Sequence, residues 1–289
     1  MIPIQPTSKH LTTWVASYVP ETDFFFINQD DLKSFKTMLT TVLTIPSQEF
    51  FQHPSYSSVE YASSFEYWQI KKEADLILVA PPAWFNHLPS TQQKKLLQLQ
   101  VAYNRGLIIP LPYFHQHPLP NEAIVANQVV LTASLWAQLP QDLKEQVLAQ
   151  YAQDWDSWSA SSVTELVPTH LRTFANTFPA KSGANCLAAV LFALSKEEWL
   201  IHEWVHTDTF KSYLHNNQFC IHNGNVKSGD VLVYLDDQDK IQHATYCITE
   251  NLFFNKNGQT LFHPWKLVTK SDLTNNWGKM NRTLYRKQM

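Results

Sequence analysis

Residues 182–194 read SGANCLAAVLFAL, and this stretch decides how the C-terminal third of the chain is interpreted. Its first four residues have the composition of a turn, and the nine residues from Cys186 onward are apolar on every side. A helix that is apolar all round is buried within a protein core. The sequence therefore predicts a turn followed by a buried helix that begins at Cys186.

Downstream of Gly229 the pattern changes from helical to extended. Residues 231–235 (VLVYL), 243–248 (HATYCI) and 252–254 (LFF) are short apolar runs separated by polar turns, and residues 261–262 (LF) continue the series. Such runs are typical of antiparallel strands. A buried helix followed by an antiparallel meander predicts an α+β fold.

Cys186 occupies a position that favours chemistry. The positive end of a helix and its unpaired N–H groups stabilise a thiolate, and the same groups can stabilise the oxyanion formed when a thiolate attacks a carbonyl. A cysteine nucleophile needs a base, and His243 opens a predicted strand. The base in turn needs an orienting group to fix its tautomer, and Asn255 is the candidate.

The turn at residues 249–251 decides whether Asn255 can reach His243. A three-residue loop places both side chains on one face of the hairpin, whereas a two-residue turn would point Lys256 at His243 instead. Asn251 suits the left-handed last position of a three-residue loop, so we expect that loop. A structural interpretation stays open, in which Cys186 is an inert buried thiol and His243 a satisfied histidine at the edge of the sheet; spacing alone favours it.

A resemblance to a known family rests on four elements in order. Cys186 begins a helix, Gly229-Asp230 precedes a strand, His243 begins the next strand and Asn255 lies on the third. This order resembles the NlpC-type papain-like cysteine peptidases and their CHAP amidase relatives over roughly residues 170–289. The resemblance implies a hydrolase of amide (peptide) or ester bonds with these residues as nucleophile, base and third catalytic residue.

The resemblance also implies a division of the chain. A papain-like NlpC-type domain is expected over residues 166–289, after a mostly helical mixed accessory region over residues 1–165. The family often has Asp-Cys-Ser-Gly where this chain has residues 185–188 (NCLA), and often has His in place of Asn255. A catalytically inactive binding protein of the same fold is therefore the alternative hypothesis.

The expected substrate is a small peptide or acyl compound, and the chemistry requires no cofactor and no metal. Four residues beside the predicted catalytic positions are expected to bind this substrate: Asn185, Asp230, Asn257 and Trp265.

Residues 202–206 (HEWVH) supply a third hypothesis, a zinc metallopeptidase. On a helix, which the sequence predicts over residues 199–214, His202 and His206 would share one face with Glu203 as the base. A third ligand is not evident, because the position six residues after His206 is a serine.

Residues 1–165 contain no motif that carries chemistry. Four prolines between positions 110 and 120 indicate a connection, with a possible sub-domain boundary there. The periodicity predicts helices over 30–42, 90–106 and 135–151, and strands over 74–80 and 107–109.

Composition excludes several classes of protein. The chain has 6 glycines against 16 prolines in 289 residues, where about 20 glycines would be usual. Neither of the common glycine-rich nucleotide loops occurs. A net charge of −3 without a basic stripe argues against nucleic acid as a partner.

Location and redox state are also addressed by composition. The N-terminus lacks the pattern of a signal peptide, and no apolar run approaches the length of a membrane span. The three cysteines are odd in number and form no C-x-x-C pair, which is typical of reduced thiols. We therefore expect a cytoplasmic protein with no membrane partner, and the sequence leaves its oligomeric state open.

Overall fold

The computed structural model describes residues 1–288, apart from the side chains at positions 36 and 37. Helices and antiparallel strands are mixed throughout, which confirms the predicted α+β class. The chain divides into two compact units: a C-terminal unit of residues 1–10 and 152–289, and an N-terminal unit of residues 11–151. The expected division after residue 165 falls inside the C-terminal unit. None of the helices in the described part of the chain is both long enough and apolar enough to cross a bilayer.

The C-terminal unit is built on a six-stranded antiparallel sheet. Ile241–Cys247, here the histidine strand, pairs with Leu252–Asn255, here the asparagine strand. The strands lie side by side in this order: Lys266–Thr269, Leu252–Asn255, Ile241–Cys247, Val231–Leu235, Asn281–Lys287 and Phe219–Ile221.

The helix Cys186–Ser195, here the cysteine helix, has the predicted place and burial: seven of its residues are buried. Its apolar side chains form the core of the C-terminal unit. The other elements of this unit are the helices Thr169–Arg172, Thr207–Asn216 and Lys270–Trp277, the 3-10 segment Glu198–His202 and the strand pair Ile2–Pro3 with Ser159–Ala160.

The two faces of the sheet bury different partners. The helix face, which includes Ala244 and Phe254, packs with the cysteine helix in one apolar cluster. The tryptophan face, which includes Cys247 and Phe253, belongs to a second cluster against which Trp277 packs. Because successive side chains of a strand point to opposite faces, neighbouring residues of the histidine strand alternate between contact with the cysteine helix and contact with the cluster around Trp277.

The helix predicted over residues 199–214 is not continuous. The 3-10 segment Glu198–His202 and the helix Thr207–Asn216 are separated by extended residues. The amide of Asn185 donates a hydrogen bond of 2.7 Å to the carbonyl of Val205 in this gap. That carbonyl is thus bonded to another part of the unit and does not take part in a helix.

The strand predicted at residues 261–262 is a turn, and the outermost strand on this side of the sheet is Lys266–Thr269. Leu261 and Phe262 are nevertheless buried. Their apolar character reflects this burial and not an extended conformation.

The N-terminal unit contains two three-stranded antiparallel sheets. Its strands are Asp23–Ile27, Leu76–Ala80 and Leu43–Pro46 in one sheet, and Ile108–Pro110, Gln128–Val130 and Ile124–Val125 in the other. Its helical segments include Ser8–Tyr18, Gln29–Leu32, Lys36–Thr41, Ser47–Gln52, Val59–Ser64, Tyr67–Gln69, Pro82–His87, Ser90–Ala102, Leu111–Phe114, Asn121–Ala123, Ala133–Gln138 and Gln141–Trp155, of which the first and last cross its limits.

Two predicted helices of this unit are wrong in extent. The one over residues 135–151 breaks at Leu139 and Pro140, because proline lacks an N–H and favours an extended residue before it. The one over residues 30–42 starts earlier than expected, because Asn28 caps a short helix at Gln29–Leu32, and a separate 3-10 segment follows at Lys36–Thr41.

Candidate active site

Asn185 sets the start of the cysteine helix. Its side-chain oxygen accepts a hydrogen bond of 3.0 Å from the N–H of Ala188, which satisfies one of the free N–H groups of the first turn. Its amide donates to the carbonyl of Val205. Asn185 therefore fixes both the direction of the helix and the position of Cys186, its first residue.

The thiol of Cys186 is neutral at rest. Burial raises its pKa above the ordinary value, and this effect outweighs the backbone N–H groups of Ala244 and Leu187, which favour the thiolate. The charge of Lys256 also favours the thiolate without reversing the balance. The expectation that a helix N-terminus yields a thiolate is thus wrong for the resting protein, because desolvation is the larger effect.

His243 is completely buried, and its orientation is determined by two contacts. Its Nε2 lies 2.6 Å from Oδ1 of Asn255. The ring of Trp277 stacks on the imidazole with centroids 4.2 Å apart and planes 2° from parallel. The structure thus brings His243 and Asn255 together as the sequence predicts.

The hairpin responsible for this contact has the predicted three-residue loop. Cys247 pairs with Phe253, and the N–H of Ile248 donates to the carbonyl of Leu252, which leaves residues 249–251 as the loop. The register therefore places Asn255 on the same face as His243.

The tautomer of His243 follows from the hydrogen bonds of its neighbours. Asn255 uses its amide nitrogen to donate to Asn257, at 2.9 Å, so the oxygen of Asn255 faces the imidazole. An amide oxygen only accepts, and Nε2 of His243 must therefore carry the hydrogen. Nδ1 is then a bare acceptor, and it is buried with no hydrogen-bond partner.

His243 is also neutral at rest. Burial lowers its pKa to about 4, although the hydrogen bond to Asn255 acts in the opposite direction. The site thus holds an uncharged thiol and an uncharged imidazole with an available lone pair on Nδ1.

A chain of polar contacts continues from Asn255 into the core, here the polar chain. Asn257 donates to both carboxylate oxygens of Asp156, each at 3.1 Å. Lys266 forms an ion pair of 2.6 Å with the same carboxylate, and both side chains are almost fully buried. The orientation of His243 is thereby tied to a buried ion pair.

Cys186 and His243 approach from different faces of the histidine strand. The sulfur is bonded by the N–H of Ala244, the residue that follows His243. The thiol is not hydrogen-bonded to the imidazole, because Nε2 is taken by Asn255 and Nδ1 has no partner. The nucleophile and the base are thus brought to the same end of one strand without a direct bond.

A cavity of about 300 Å³ opens at Cys186. Its volume lies at the low end of small-molecule sites. Its lining combines the thiol with an indole, an imidazole and several amides, notably Trp204, His206, Gln242, Asn257 and Gln259.

Only two of the four expected substrate-binding residues line this cavity. Asn185 and Asn257 belong to its lining, and both are also held by hydrogen bonds within the protein. Asp230 instead pairs with Arg286 at 2.7 Å and borders another cavity. Trp265 is buried within the core of the C-terminal unit.

The helix on which the zinc hypothesis depends is not formed. His202 ends a 3-10 segment, and its ring packs on Trp265 at 5.8 Å. Glu203 is extended, and His206 is the residue that precedes the helix Thr207–Asn216. Within residues 1–288 no group of three His, Cys, Asp or Glu side chains is arranged to hold a metal ion.

Sequence reasoning missed several participants. Asp156 lies far upstream, inside the expected accessory region, and Trp277 lies on a helix that no motif indicated. The sequence pattern places Lys256 near His243 only if the hairpin has a two-residue turn. The face it occupies could have been read from the same hairpin register, one residue beyond Asn255.

No protein-family model, no curated protein and no solved structure matches this chain.

Proposed function

We propose that the protein is a thiol hydrolase of the papain-like, NlpC type that acts on an amide or ester bond. Cys186 is the nucleophile, His243 the base and Asn255 the residue that orients the base. The order of these residues along the chain and their placement on a buried helix and two adjacent strands support the proposal.

The observation that carries the proposal is the state of the imidazole. Nε2 is bonded to Asn255 at 2.6 Å beneath a stacked indole, while Nδ1 is buried without a partner. An unsatisfied buried acceptor is costly, and a general base is one of the roles for which it is retained.

The reaction needs only groups of this chain and water. Cys186 and His243 lie on different faces of the histidine strand at rest, and His243 does not line the cavity at the thiol, so the proposal requires a rearrangement that brings Nδ1 to the sulfur. The thiol proton then passes to Nδ1 of His243, the sulfur attacks the carbonyl carbon, and the electron pair of the carbonyl moves to its oxygen. The backbone N–H of Cys186 helps to bind that oxyanion. When the tetrahedral intermediate collapses, the leaving amine or alcohol takes the proton from His243. Water then hydrolyses the thioester, with His243 removing its proton and returning one to the sulfur.

The dimensions and lining of the cavity suggest the class of substrate. About 300 Å³ accommodates a short acyl group or one side chain. The amides of Gln242 and Gln259 can bond a polar group beside the reacting carbonyl. A small peptide or acyl compound fits these conditions.

Hydrolysis of p-nitrophenyl acetate and of short peptide amides tests the proposal. We expect Cys186→Ala to abolish turnover and His243→Ala to reduce it by about 10²- to 10⁴-fold, with a smaller loss for Asn255→Ala. An acetyl group should be trapped on Cys186 and detected by mass spectrometry. Cys220→Ala, which removes an exposed thiol elsewhere, is the matched control.

The alternative, an inactive binding protein of the same fold, draws support from the resting protonation states, since both Cys186 and His243 are neutral. If Cys186→Ala leaves acetyl transfer and turnover at the wild-type level, the hydrolase proposal is wrong.

A further inference from the structure

A second cavity in the C-terminal unit plays no part in the proposed reaction. Its volume is about 1160 Å³, slightly above the usual range for small-molecule sites. Ala193 and Leu194, near the end of the cysteine helix, and Tyr246, near the end of the histidine strand, belong to its lining. The cavity at the thiol is lined instead by the first residues of both elements, Cys186 and Ile241 among them. The two cavities therefore lie at opposite ends of the cysteine helix.

The floor of the second cavity is apolar and continuous with the core of the C-terminal unit. Ala193, Phe219 and Tyr246 are buried members of that core, and Leu194 and Tyr213 are partly buried against it. All five side chains line the cavity. Such a floor favours the apolar part of a ligand, because moving apolar surface out of water is favourable.

Three lysines stand at the rim of the second cavity. Lys196 follows the cysteine helix, Lys227 precedes the turn at Gly229, and Lys287 ends the strand Asn281–Lys287. All three side chains are exposed. Within residues 1–288, none of these lysines lies at ion-pair distance from a carboxylate. The rim thus concentrates positive charge on a chain whose net charge is −3.

The lining contains one carboxylate among the described residues, and that carboxylate is already neutralised. Nε of Arg286 donates to Oδ1 of Asp230 at 2.8 Å, and Nη2 donates to Oδ2 at 2.7 Å. The backbone N–H of Lys227 donates to Oδ2, also at 2.7 Å. The guanidinium is bonded further to the carbonyl of Asn225 and to the ring of His222. Asp230 and Arg286 therefore compensate each other and leave the charge of the lysines uncompensated.

Solvation by water is the competing explanation for these lysines, because exposed lysines are common and need no ligand. The second cavity differs from an ordinary surface in that its cations surround an apolar floor. Low-dielectric walls screen charges less than open water does, and a cleft lined by one sign of charge attracts ions of the other sign. Solvation alone predicts no preference of this cavity for anions over neutral molecules.

We propose that the second cavity binds an organic anion that has a carboxylate or phosphate head group and an apolar body. The head group lies among the three lysines of the rim, and the apolar body covers the floor at Phe219 and Tyr246. An inorganic anion lacks the body and a neutral hydrocarbon lacks the charge, so each binds more weakly. The site is independent of the proposed hydrolase, since the two cavities share no lining residue within the described part of the chain.

Isothermal titration calorimetry of the full-length protein tests the proposal with four probes. Decanoate and decyl phosphate carry both charge and chain, decanol carries the chain alone, and inorganic phosphate carries the charge alone. We expect one amphiphilic anion per protein, bound about tenfold more tightly than decanol, because each exposed lysine contributes a few-fold to the attraction. The tighter of the two anions identifies the head group. Added salt should weaken both anions and leave decanol unchanged.

Backbone amide NMR locates the bound anion in the unsubstituted protein. Decanoate or decyl phosphate should shift the signals of Gly229 and Tyr246, which line the second cavity. The signals of Cys186 and Gln242, which line the cavity at the thiol, should stay in place. This measurement decides the location without any substitution.

A triple variant, Lys196→Gln with Lys227→Gln and Lys287→Gln, removes the charge of the rim at exposed positions. The affinity for the anion should fall by about tenfold, while the affinity for decanol should not change. A control variant removes the same charge from exposed positions of the N-terminal unit and should bind as the unsubstituted protein does: Lys71→Gln, Lys72→Gln and Lys94→Gln.

The inference is overturned if neither anion binds more tightly than decanol, or if the NMR shifts fall at the cavity beside the thiol. It is also overturned if the control variant loses as much affinity as the rim variant, because net charge alone would then explain the attraction. A glutamate-rich peptide that shifts the same signals when neither anion does would make the cavity a peptide-docking surface and would equally refute the proposal. None of these measurements requires turnover, so the hydrolase is tested separately.

Discussion

Two buried lysines near the end of the asparagine strand are treated differently by the fold. In the polar chain, Lys266 forms an ion pair of 2.6 Å with the carboxylate of Asp156, and the amide of Asn257 donates a hydrogen bond to the same carboxylate. Within the described part of the chain, Lys256 donates hydrogen bonds only to backbone carbonyls, those of Gly258 and Thr260, and its nitrogen lies 6.0 Å from the ring of Trp265. The comparison shows that one cation is neutralised by a carboxylate in the polar chain that holds His243, whereas the other is buried on carbonyls alone.

The largest expected effect comes from breaking the ion pair of the polar chain. Asp156→Ala leaves the Lys266 ammonium buried and unpaired and removes the partner of Asn257. Removal of one partner of a buried pair costs about 3–5 kcal/mol, and denaturant unfolding measures this loss. Asp30→Ala is the control, since it breaks the exposed pair with Lys33, whose attraction is screened by water. A loss of similar size in both variants would remove the structural role assigned to Asp156.

Replacing both partners sharpens the same point. Asp156→Leu combined with Lys266→Met should recover much of the stability, because an apolar pair of similar volume avoids the desolvation of two ions. The hydrolytic rate should nevertheless remain low, since Asn257 and hence Asn255 lose their anchor. Recovery of both stability and rate would show that the polar chain does not position His243.

The next effect in size concerns acid. The pKa of His243 is about 4 in the folded protein and ordinarily 6.5, so the unfolded chain binds this proton first as the pH falls. Stability contributed by the neutral imidazole is therefore lost as the pH falls from about 6.5 toward 4, by up to about 3 kcal/mol. Unfolding of the wild type and of His243→Gln across this range measures it.

An exposed histidine provides the control for the acid-dependent loss of stability. His215→Gln, at an exposed position, should keep the acid-dependent loss of stability, whereas His243→Gln should reduce it. A residual slope is expected in His243→Gln, because the pKa of His263 is also lowered by burial. If the slope is unchanged in His243→Gln, the imidazole is not held neutral by burial.

The pairing of His243 with Asn255 was within reach of the sequence because it depends on local geometry. Three loop residues and a period of two fix which side chains share a face, and the structure has that register. The cysteine helix was equally accessible, because an all-apolar run that starts at Cys186 leaves little choice of environment.

The rest of the site depends on contacts between distant parts of the chain. Asp156 reaches Asn257 across 101 positions of sequence, and no period or spacing connects them. Trp277 comes from a helix that follows the last site strand. The thiol's ionisation was predicted in the wrong direction because helix position is local, whereas desolvation depends on everything packed around Cys186.

A smaller effect is expected from the indole over the imidazole. Trp277→Leu removes a stack worth about 1 kcal/mol beyond its buried area, and it exposes the bond between His243 and Asn255 to water. Weaker desolvation should raise the pKa of His243 toward its ordinary value, which a proton NMR titration of the ring detects. Trp199→Leu, at an exposed indole, should leave that titration unchanged. An unaltered titration in Trp277→Leu would assign the low pKa to other neighbours.

The smallest effect compares the two helix caps on opposite sides of the sheet. Asn185 caps the cysteine helix, and Thr269 caps the helix Lys270–Trp277 with a similar bond to a backbone N–H. Substitution by alanine should cost about 1 kcal/mol in each case. Only Asn185→Ala should also alter the pH dependence of the rate at which iodoacetamide alkylates Cys186. The reason is that the cap fixes the first helical turn, whose N–H groups favour the thiolate. If Thr269→Ala changes that pH dependence equally, the sulfur responds to general loosening of the unit and not to its own helix turn.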